Sequence, residues 1–178
     1  MARSSNLLTL ALADNDYCKR LKDPFRNDVF HLEVYLPFTE AGKLPRGNAN
    51  LRPPNPKKPA YKAMLETVDS APQTFHVKNR GIMYFCDRFE YDNSTKQLSI
   101  TVPTVSNGDD DPKYGIADGG HTFGVIQETL KRLDELKERD EWALPHVRVH
   151  FVAGTRNLPT TDEEIVEALN TSDRKSVV

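Results

Sequence analysis

Five consecutive residues, Asp118-Gly119-Gly120-His121-Thr122, place a carboxylate, two glycines, an imidazole and a hydroxyl at one turn. The glycines let the backbone turn sharply and approach a ligand, and the first N–H groups of a helix that begins there carry partial positive charge. Phosphate suits such a site. We therefore predict that Gly119 and Gly120 cradle a phosphate that His121 and Thr122 hydrogen-bond. An ordinary strand-to-helix connection without a ligand is the alternative, because short glycine motifs often occur without one.

Two residues of this turn also allow a catalytic interpretation. In a metal-dependent nuclease, Asp118 would help to hold a divalent cation and His121 would act as the general base. However, the sequence offers no second carboxylate at a spacing that obviously converges on Asp118. Asp109, Asp110 and Asp111 follow one another, but a run of this kind is more commonly an exposed acidic turn. No metal ligands are therefore assigned.

Two other segments could bring donors to the same anion. Asn79-Arg80-Gly81 is a turn signal, and it could also aim a guanidinium at a phosphate or a carboxylate. Residues 42–59 hold five of the twelve prolines together with several lysines and arginines, which predicts an unusually long loop. Its basic content would suit a polyanion or a nucleotide phosphate, and a mobile loop without a partner is an equal alternative.

Hydrophobic periodicity predicts the elements that position the turn. Residues 114–117 form a short apolar run, which predicts a strand, and from Thr122 apolar residues recur at helical spacing to about Leu136. The stripe that begins with Phe123 and Ile126 should pack on a sheet, because such a helix has one face to bury. The order is therefore a core strand, a tight turn and a long helix.

Local signals predict the other elements. Leucines near the N-terminus indicate a helix over residues 5–22, and alternating apolar residues indicate a strand over residues 29–38. A capping box at residues 161–164 predicts a helix from Asp162 that ends or is interrupted at residues 170–174. Further predictions are a helix at 61–68, extended segments at 75–77 and 82–89, a hairpin turn at 92–95, and strands at 98–102 and 147–151.

The last of these strands has a basic face. His146, Arg148 and His150 alternate with apolar residues, as expected for a half-buried strand. A His-x-Arg-x-His pattern could bind a metal or a phosphate. A solvent-facing sheet surface explains it as well, because no third ligand has a compelling spacing.

Length and composition limit the class of protein. The 178 residues suit one domain with an extension, and we divide them into a helical extension at 1–28 and a domain at 29–178. A net charge of −2 gives no global basic surface, so a nucleic acid would have to contact a local patch. Cys18 and Cys86 match no zinc or redox spacing. No signal-peptide pattern and no membrane-spanning apolar run is present, which predicts a soluble, cytoplasmic protein that needs no membrane.

Several short motifs together carry a resemblance. In this order, they resemble the motifs of the AIPR (abortive phage infection protein) family: Asn50-x-Arg52, Phe75-x-x-x-Asn79-Arg80-Gly81-Ile82, Ile116-Ala117-Asp118-Gly119-Gly120-His121-Thr122 and Asn170-x-x-x-Arg174. The Asp-Gly-x-His core also resembles the DGQHR motif of DndB-like proteins and, more distantly, the glycine-rich boxes of ParB and sulfiredoxin. Where the DGQHR and ParB motifs have arginine, this chain has Thr122. If the chain has a phosphate-binding arginine of the ParB type, the candidates are therefore Arg80, Arg52 and Arg174.

The resemblance implies a ParB/sulfiredoxin-like α/β fold of the α+β type, with a small mixed sheet and packed helices. It also implies a role in phage defence, in which the domain binds phosphate groups. The ligand would be a nucleoside triphosphate, with or without magnesium, or a strand of DNA or RNA. A module that binds or hydrolyses nucleotide, a metal-dependent nuclease and a non-catalytic DNA-binding or protein-binding regulator remain alternatives. The chain stops in the middle of a pattern, which predicts a longer parent protein, and a homo-oligomer or a C-terminal partner domain is expected. Besides the turn, the implied binding residues are Asn50, Arg52, Asn79, Arg80, Gly81, Asn170 and Arg174.

Overall fold

A computed structural model describes residues 5–12, 18–50, 52–103 and 113–175, with side chains as far as Thr171. The strands are β1 (Ser5–Ala11), β2 (Cys18–Lys22), β3 (Phe30–Pro37), β4 (Ile82–Cys86), β5 (Arg88–Asp92), β6 (Gln97–Pro103), β7 (Gly115–Asp118) and β8 (His146–Ala153). The helices are α1 (Phe38–Ala41), α2 (Pro59–Ser70), α3 (Phe75–Lys78), α4 (Gly120–Lys131), α5 (Leu133–Lys137) and α6 (Asp162–Lys175).

The strands form two sheets. The larger sheet has five strands in the order β2-β3-β8-β4-β7, in which β4 and β8 are parallel and the other neighbours are antiparallel. The smaller sheet is antiparallel, with the order β1-β6-β5. A mixed sheet with packed helices confirms the predicted α+β fold class. The ParB/sulfiredoxin likeness stays a prediction.

Alternation along β8 divides the larger sheet into two faces. Val149 and Phe151 are fully buried in the main core, which also contains Val125 and Ile126 of α4. Val152 points the other way and joins a second apolar cluster with Val166 of α6 and Phe85 of β4. α4 and α6 therefore pack on opposite faces of the sheet.

The predicted helix over residues 5–22 is wrong, and so is the helical character of the extension at 1–28. Within the described part of this segment, the chain forms β1 and β2. Leu8, Leu10 and Leu12 recur at every second position, which suits a strand with one buried face. β1 pairs with β6, where Leu8 lies opposite Ile100 and Leu10 opposite Leu98. This pairing with a distant strand overrides the local helical appearance.

Three other predictions need correction. Residues 75–77 belong to α3 rather than to an extended segment, because Phe75 turns inward against Phe38 with ring centroids 4.9 Å apart. α6 continues to Lys175 instead of stopping at residues 170–174, since the segment contains neither glycine nor proline. The long helix predicted from Thr122 is interrupted at Arg132, which separates α4 from α5. The acidic run 109–111 lies outside the described residues.

Most other element predictions are confirmed. β7 and α4 match the predicted strand and helix, and Phe123 and Ile126 are buried on the sheet. The capping box forms as predicted, because Glu164 N donates to Thr161 Oγ1 and Thr161 N donates to Glu164 Oε2, at 3.2 and 2.9 Å. Across the residues that the structure describes, no helix is both long and apolar enough to cross a bilayer.

Candidate functional site

The glycine turn between β7 and α4 is built against the neighbouring strand. Gly119 precedes the first turn of α4 with a φ of 84°, in the left-handed region. A Cβ atom at this position would lie 2.4 Å from the carbonyl oxygen of Gly81. Gly81, with a φ of 90°, in turn leaves no room for a Cβ beside the carbonyl oxygen of Arg148. Both glycines are therefore required by close backbone packing across β7, β4 and β8.

Gly120 has a different environment. The nearest heavy atom that its Cβ would meet is the carbonyl oxygen of Arg52, at 3.9 Å. As far as the described residues show, the space beside the first residue of α4 is thus open on the side of the loop that contains Arg52. Of the two consecutive glycines, only Gly119 is required by packing.

Asn79 and Thr122 join the two turns to each other. The Asn79 amide and the Thr122 hydroxyl exchange hydrogen bonds of 3.1 and 3.2 Å, and Asn79 Oδ1 accepts a hydrogen bond from Gly81 N at 2.8 Å. Met64 of α2 lies against the same amide. Thr122 is only 5% exposed, so its hydroxyl serves this internal contact rather than an external ligand.

The two predicted catalytic residues lie on either side of the turn. Asp118 is partly buried, and its carboxylate accepts a hydrogen bond from Gly119 N at 2.7 Å. His121 meets the ring of Tyr61 edge-on, with centroids 6.2 Å apart, and its buried Nε2 has no hydrogen-bond partner among the described residues. Burial and a hydrogen bond to Glu128 raise the pKa of Tyr61 to about 12. The Tyr61 phenol therefore stays protonated and donates to that glutamate at neutral pH.

Asn50 and Arg52 lie along the edge of β7. Asn50 Nδ2 donates to the carbonyl oxygen of Ala117 at 3.2 Å, and its Oδ1 accepts from Arg52 N at 3.1 Å. The Arg46 guanidinium donates to the carbonyl oxygen of Arg52. Asn50 is therefore used to hold the proline-rich loop against the strand that leads into the turn.

Arg52 and Asn170 both line a cavity of about 280 Å³ between this loop and α6. Glu163 and Glu167 line the same cavity, which places two carboxylates beside the arginine. Among the described lining residues, carboxylates therefore outnumber cations, which does not favour phosphate. Arg174 lies in the last turn of α6, beyond the described side chains.

Arg80 faces a different opening, which we term the basic cleft. Its volume is about 490 Å³, and its lining residues are Tyr35, His76, Val77, Lys78, Asn79, Arg80 and Arg148. Arg148 donates from its guanidinium to the carbonyl oxygen of Arg80 at 2.8 Å and lies opposite Tyr35 in the β3–β8 register. The rings of Tyr35 and His76 meet edge to face at 5.5 Å.

The structure thus brings some predicted site residues together and separates others. Asn79, Gly81, Gly119 and Thr122 form one internal contact, whereas Arg52 with Asn170 and Arg80 with Arg148 line two separate openings. Sequence reasoning missed Tyr35, His76 and Lys78 as cleft residues. The alternation of β8 had marked Arg148 as part of a basic face, and the strand pairing that completes the cleft was not visible in the sequence.

Within the described ranges, no three His, Cys, Asp or Glu side chains lie close enough together to hold a metal ion.

Comparison with known proteins places these residues within one family. The family model described as AIPR protein matches residues 48–174. Comparisons with curated proteins and with solved structures found no match. The matched range covers most of the chain and contains every predicted binding or catalytic residue, from Asn50 to Arg174. The chain therefore belongs to the AIPR family, which connects it with abortive infection, a phage-defence response.

Proposed function

We propose that this AIPR protein binds the phosphate groups of a nucleotide or of a nucleic-acid strand in the basic cleft. The observation that carries the proposal is the convergence of Lys78, Arg80 and Arg148 on one cavity, none of whose seven described lining residues is a carboxylate. Cations placed together repel one another, and a bound anion relieves that repulsion. Phosphate matches guanidinium groups well, because each can donate two N–H bonds to it.

The cleft also provides surfaces for a base. Tyr35 and His76 offer aromatic rings, and Val77 is 76% exposed beside them. Stacking of a base on an aromatic side chain is worth about 1–3 kcal/mol in single-strand sites. The ligands that fit this combination are a nucleoside triphosphate, with or without magnesium, and a strand of DNA or RNA. Recognition of such a ligand in the cytoplasm would give the link to abortive infection a molecular basis.

The basic cleft is favoured over the glycine turn as the phosphate site. The Asp118 carboxylate already lies at the N-terminus of α4, where Gly119 N donates to it. It therefore supplies the negative charge that the helix dipole attracts, and a phosphate placed there would meet like charge. Thr122 is buried and paired with Asn79, so it offers the phosphate no hydroxyl. Arg80 connects the family motif to the cleft instead.

The test is binding of fluorescently labelled single-stranded RNA, single-stranded DNA and a nucleoside triphosphate, with and without magnesium, at several salt concentrations. Arg80→Ala should weaken binding by about 1.5–3 kcal/mol, the usual contribution of a hydrogen bond to a charged group. It should also reduce the slope of log affinity against log salt concentration, by the equivalent of about one phosphate contact. Arg80 is exposed, so the free energy of unfolding should change little.

Arg88→Ala is the matched control. Arg88 is equally an exposed arginine, but it lies on β5 of the smaller sheet and pairs there with Glu90. It should leave binding unchanged. Equal loss in both variants would mean that binding reflects general charge, and unchanged binding in Arg80→Ala would refute the cleft as the site.

A further inference from the structure

A chain of hydrogen-bonded titratable groups crosses the sheet face on which the basic cleft lies. Asp23 Oδ2 is 3.0 Å from His31 Nε2, and His31 Nδ1 is 2.9 Å from His150 Nε2. The backbone N–H groups of Phe25 and Arg26 donate to the other oxygen of Asp23, at 2.9 and 2.8 Å. The carboxylate side chain is only 10% exposed. Asp23 is thus held in place, and the chain leads from it to His150.

The order of donors along this chain fixes where the protons lie. Hydrogen bonds to His31 and to the backbone lower the pKa of Asp23, so its carboxylate is ionised and can only accept. His31 must therefore donate from Nε2, which leaves a lone pair on Nδ1 when the ring is neutral. That lone pair accepts the Nε2 proton of His150. A neutral His150 then carries its own lone pair on Nδ1.

His150 is suited to act as a base, because its resting ring is neutral and can then accept a proton. Among the described residues, the only hydrogen-bond partner of its ring is His31, and the side chain is partly exposed. Burial lowers the pKa of His150, and the neighbouring His31 ring and the charge of Arg148 lower it further, whereas Glu33 acts in the other direction. Once Nδ1 is protonated, the imidazolium can be stabilised through His31 by the carboxylate of Asp23.

This base is next to the residues that we expect to hold phosphate. Arg148 and His150 are two residues apart on β8, so their side chains leave the same face at a separation of roughly 7 Å along the strand. Arg148 lines the basic cleft together with Arg80. A group adjacent to a phosphate held by Arg148 is thus close to His150. In RNA, the group next to each phosphate is the 2′-hydroxyl.

We propose that His150 is the general base of an RNA-cleaving site, an inference that rests on the proposed binding of phosphate in the basic cleft. Nδ1 of His150 takes the 2′-hydroxyl proton, and the 2′-oxygen attacks the adjacent phosphorus. The bond between phosphorus and the 5′-oxygen breaks, and the leaving oxygen takes a proton from water. Arg148 and Arg80 stabilise the negative charge of the transition state. The products are a 2′,3′-cyclic phosphate and a 5′-hydroxyl, and His31 and Asp23 act as positioning residues.

The test uses the full chain, a labelled single-stranded RNA, and the same strand made of DNA, with a chelator present. Binding is measured by fluorescence anisotropy and cleavage by gel electrophoresis, with the RNA ends identified chemically. We expect cleavage of the RNA to a cyclic phosphate and no cleavage of the DNA. His150→Gln should lower the cleavage rate by about 10²–10⁴-fold and leave RNA affinity unchanged.

His146→Gln is the matched control, since His146 lies on the same face of β8 but outside the hydrogen-bonded chain. It should retain the wild-type rate. Asp23→Asn should shift the pH dependence of cleavage, because an amide cannot stabilise the imidazolium, and a structural role alone would not move this profile. RNA that is bound but not cleaved would overturn this inference and leave the binding proposal intact. Failure to bind RNA, DNA or nucleotide would overturn both, and wild-type cleavage by His150→Gln would overturn the role of the base.

Discussion

Replacing Gly119 by alanine should destabilise the protein strongly. The φ of 84° costs a residue with a Cβ atom about 1–2 kcal/mol. The new Cβ would also lie 2.4 Å from the carbonyl oxygen of Gly81 and 3.0 Å from Ile82 Cα, which are both backbone atoms. Backbone must therefore shift, and overpacking of this kind adds about 1–3 kcal/mol. We expect a total loss of about 2–5 kcal/mol in the free energy of unfolding.

Gly120→Ala is the matched control, one residue further along the chain. Among the described residues, its Cβ would meet only the carbonyl oxygen of Arg52, at the ordinary contact distance of 3.9 Å. Gly120 begins α4, and alanine at a compatible position lowers the entropy of the unfolded chain. Such replacements stabilise by about 0.4–1 kcal/mol. The two variants should therefore differ in sign as well as in size.

Urea unfolding measures this difference directly. The single tryptophan, Trp142, is partly buried and donates from Nε1 to the carbonyl oxygen of Val68 at 3.0 Å, so its fluorescence should report unfolding. Circular dichroism provides a second probe, and coincident transitions support a two-state interpretation. Similar losses in both variants would mean that the two glycines share one role. A Gly119→Ala protein as stable as the wild type would refute the packing argument.

Four further substitutions test individual contacts by unfolding. Asn79→Ala leaves the buried Thr122 hydroxyl without its partner, which should cost about 1–3 kcal/mol, and a double-mutant cycle with Thr122→Val would show the coupling. Thr161→Ala removes the side-chain cap of α6 and should cost about 0.5–2 kcal/mol if the end of this helix is part of the cooperative unit. Hydrogen bonds from Thr160 and Thr161 lower the pKa of Glu164, so its stabilisation is complete above its unfolded-state pKa and is lost as the pH falls through the lowered folded-state value. Glu164→Gln should flatten this part of the pH profile.

Elements whose signals are local could be predicted from the sequence. The strand, glycine turn and helix around Gly119 follow from a change of hydrophobic period at two glycines. The start of α6 follows from the capping box, in which Thr161 and Glu164 are three residues apart. β8 follows from strict alternation, and its inward Val149 and Phe151 are fully buried. In each case, the residues that decide the structure are close together in the chain.

The N-terminal segment shows why other elements could not be predicted. Leu8 and Leu10 are read as part of a helix because leucine is a good helix former and the segment lacks proline and glycine. Their partners in the structure, Ile100 and Leu98, lie about ninety residues later in the chain. The strand is therefore stabilised by contacts that no local window contains. Propensity is a weak guide when such pairing is available.

The basic cleft depends on distant pairing in the same way. Arg148 lies opposite Tyr35 because β8 pairs with β3, and it approaches Arg80 because β4 runs parallel to β8. The Asp23–His31–His150 chain also requires the β3–β8 register. Motif order indicated that Asn79 and Arg80 belong to one site with the glycine turn, but it could not show that the Asn79 side chain bonds to Thr122 while Arg80 lines the cleft with Arg148.

The Asn79-Arg80-Gly81 motif thus combines two functions that mutagenesis can separate. The Asn79 side chain bonds to Gly81 N and to Thr122 of α4, and Gly81 packs against β8. Arg80 lines the basic cleft, at the edge of which Asn79 also lies. Because Asn79 fixes the backbone that carries Arg80, its loss should reduce both stability and ligand affinity. Loss of the Arg80 side chain should reduce affinity alone. A ligand-binding defect at this motif therefore identifies a direct contact only when the free energy of unfolding is unchanged. Affinity and stability should be measured for both the Asn79 and the Arg80 variant, so that a residue that contacts the ligand is distinguished from one that only supports the backbone.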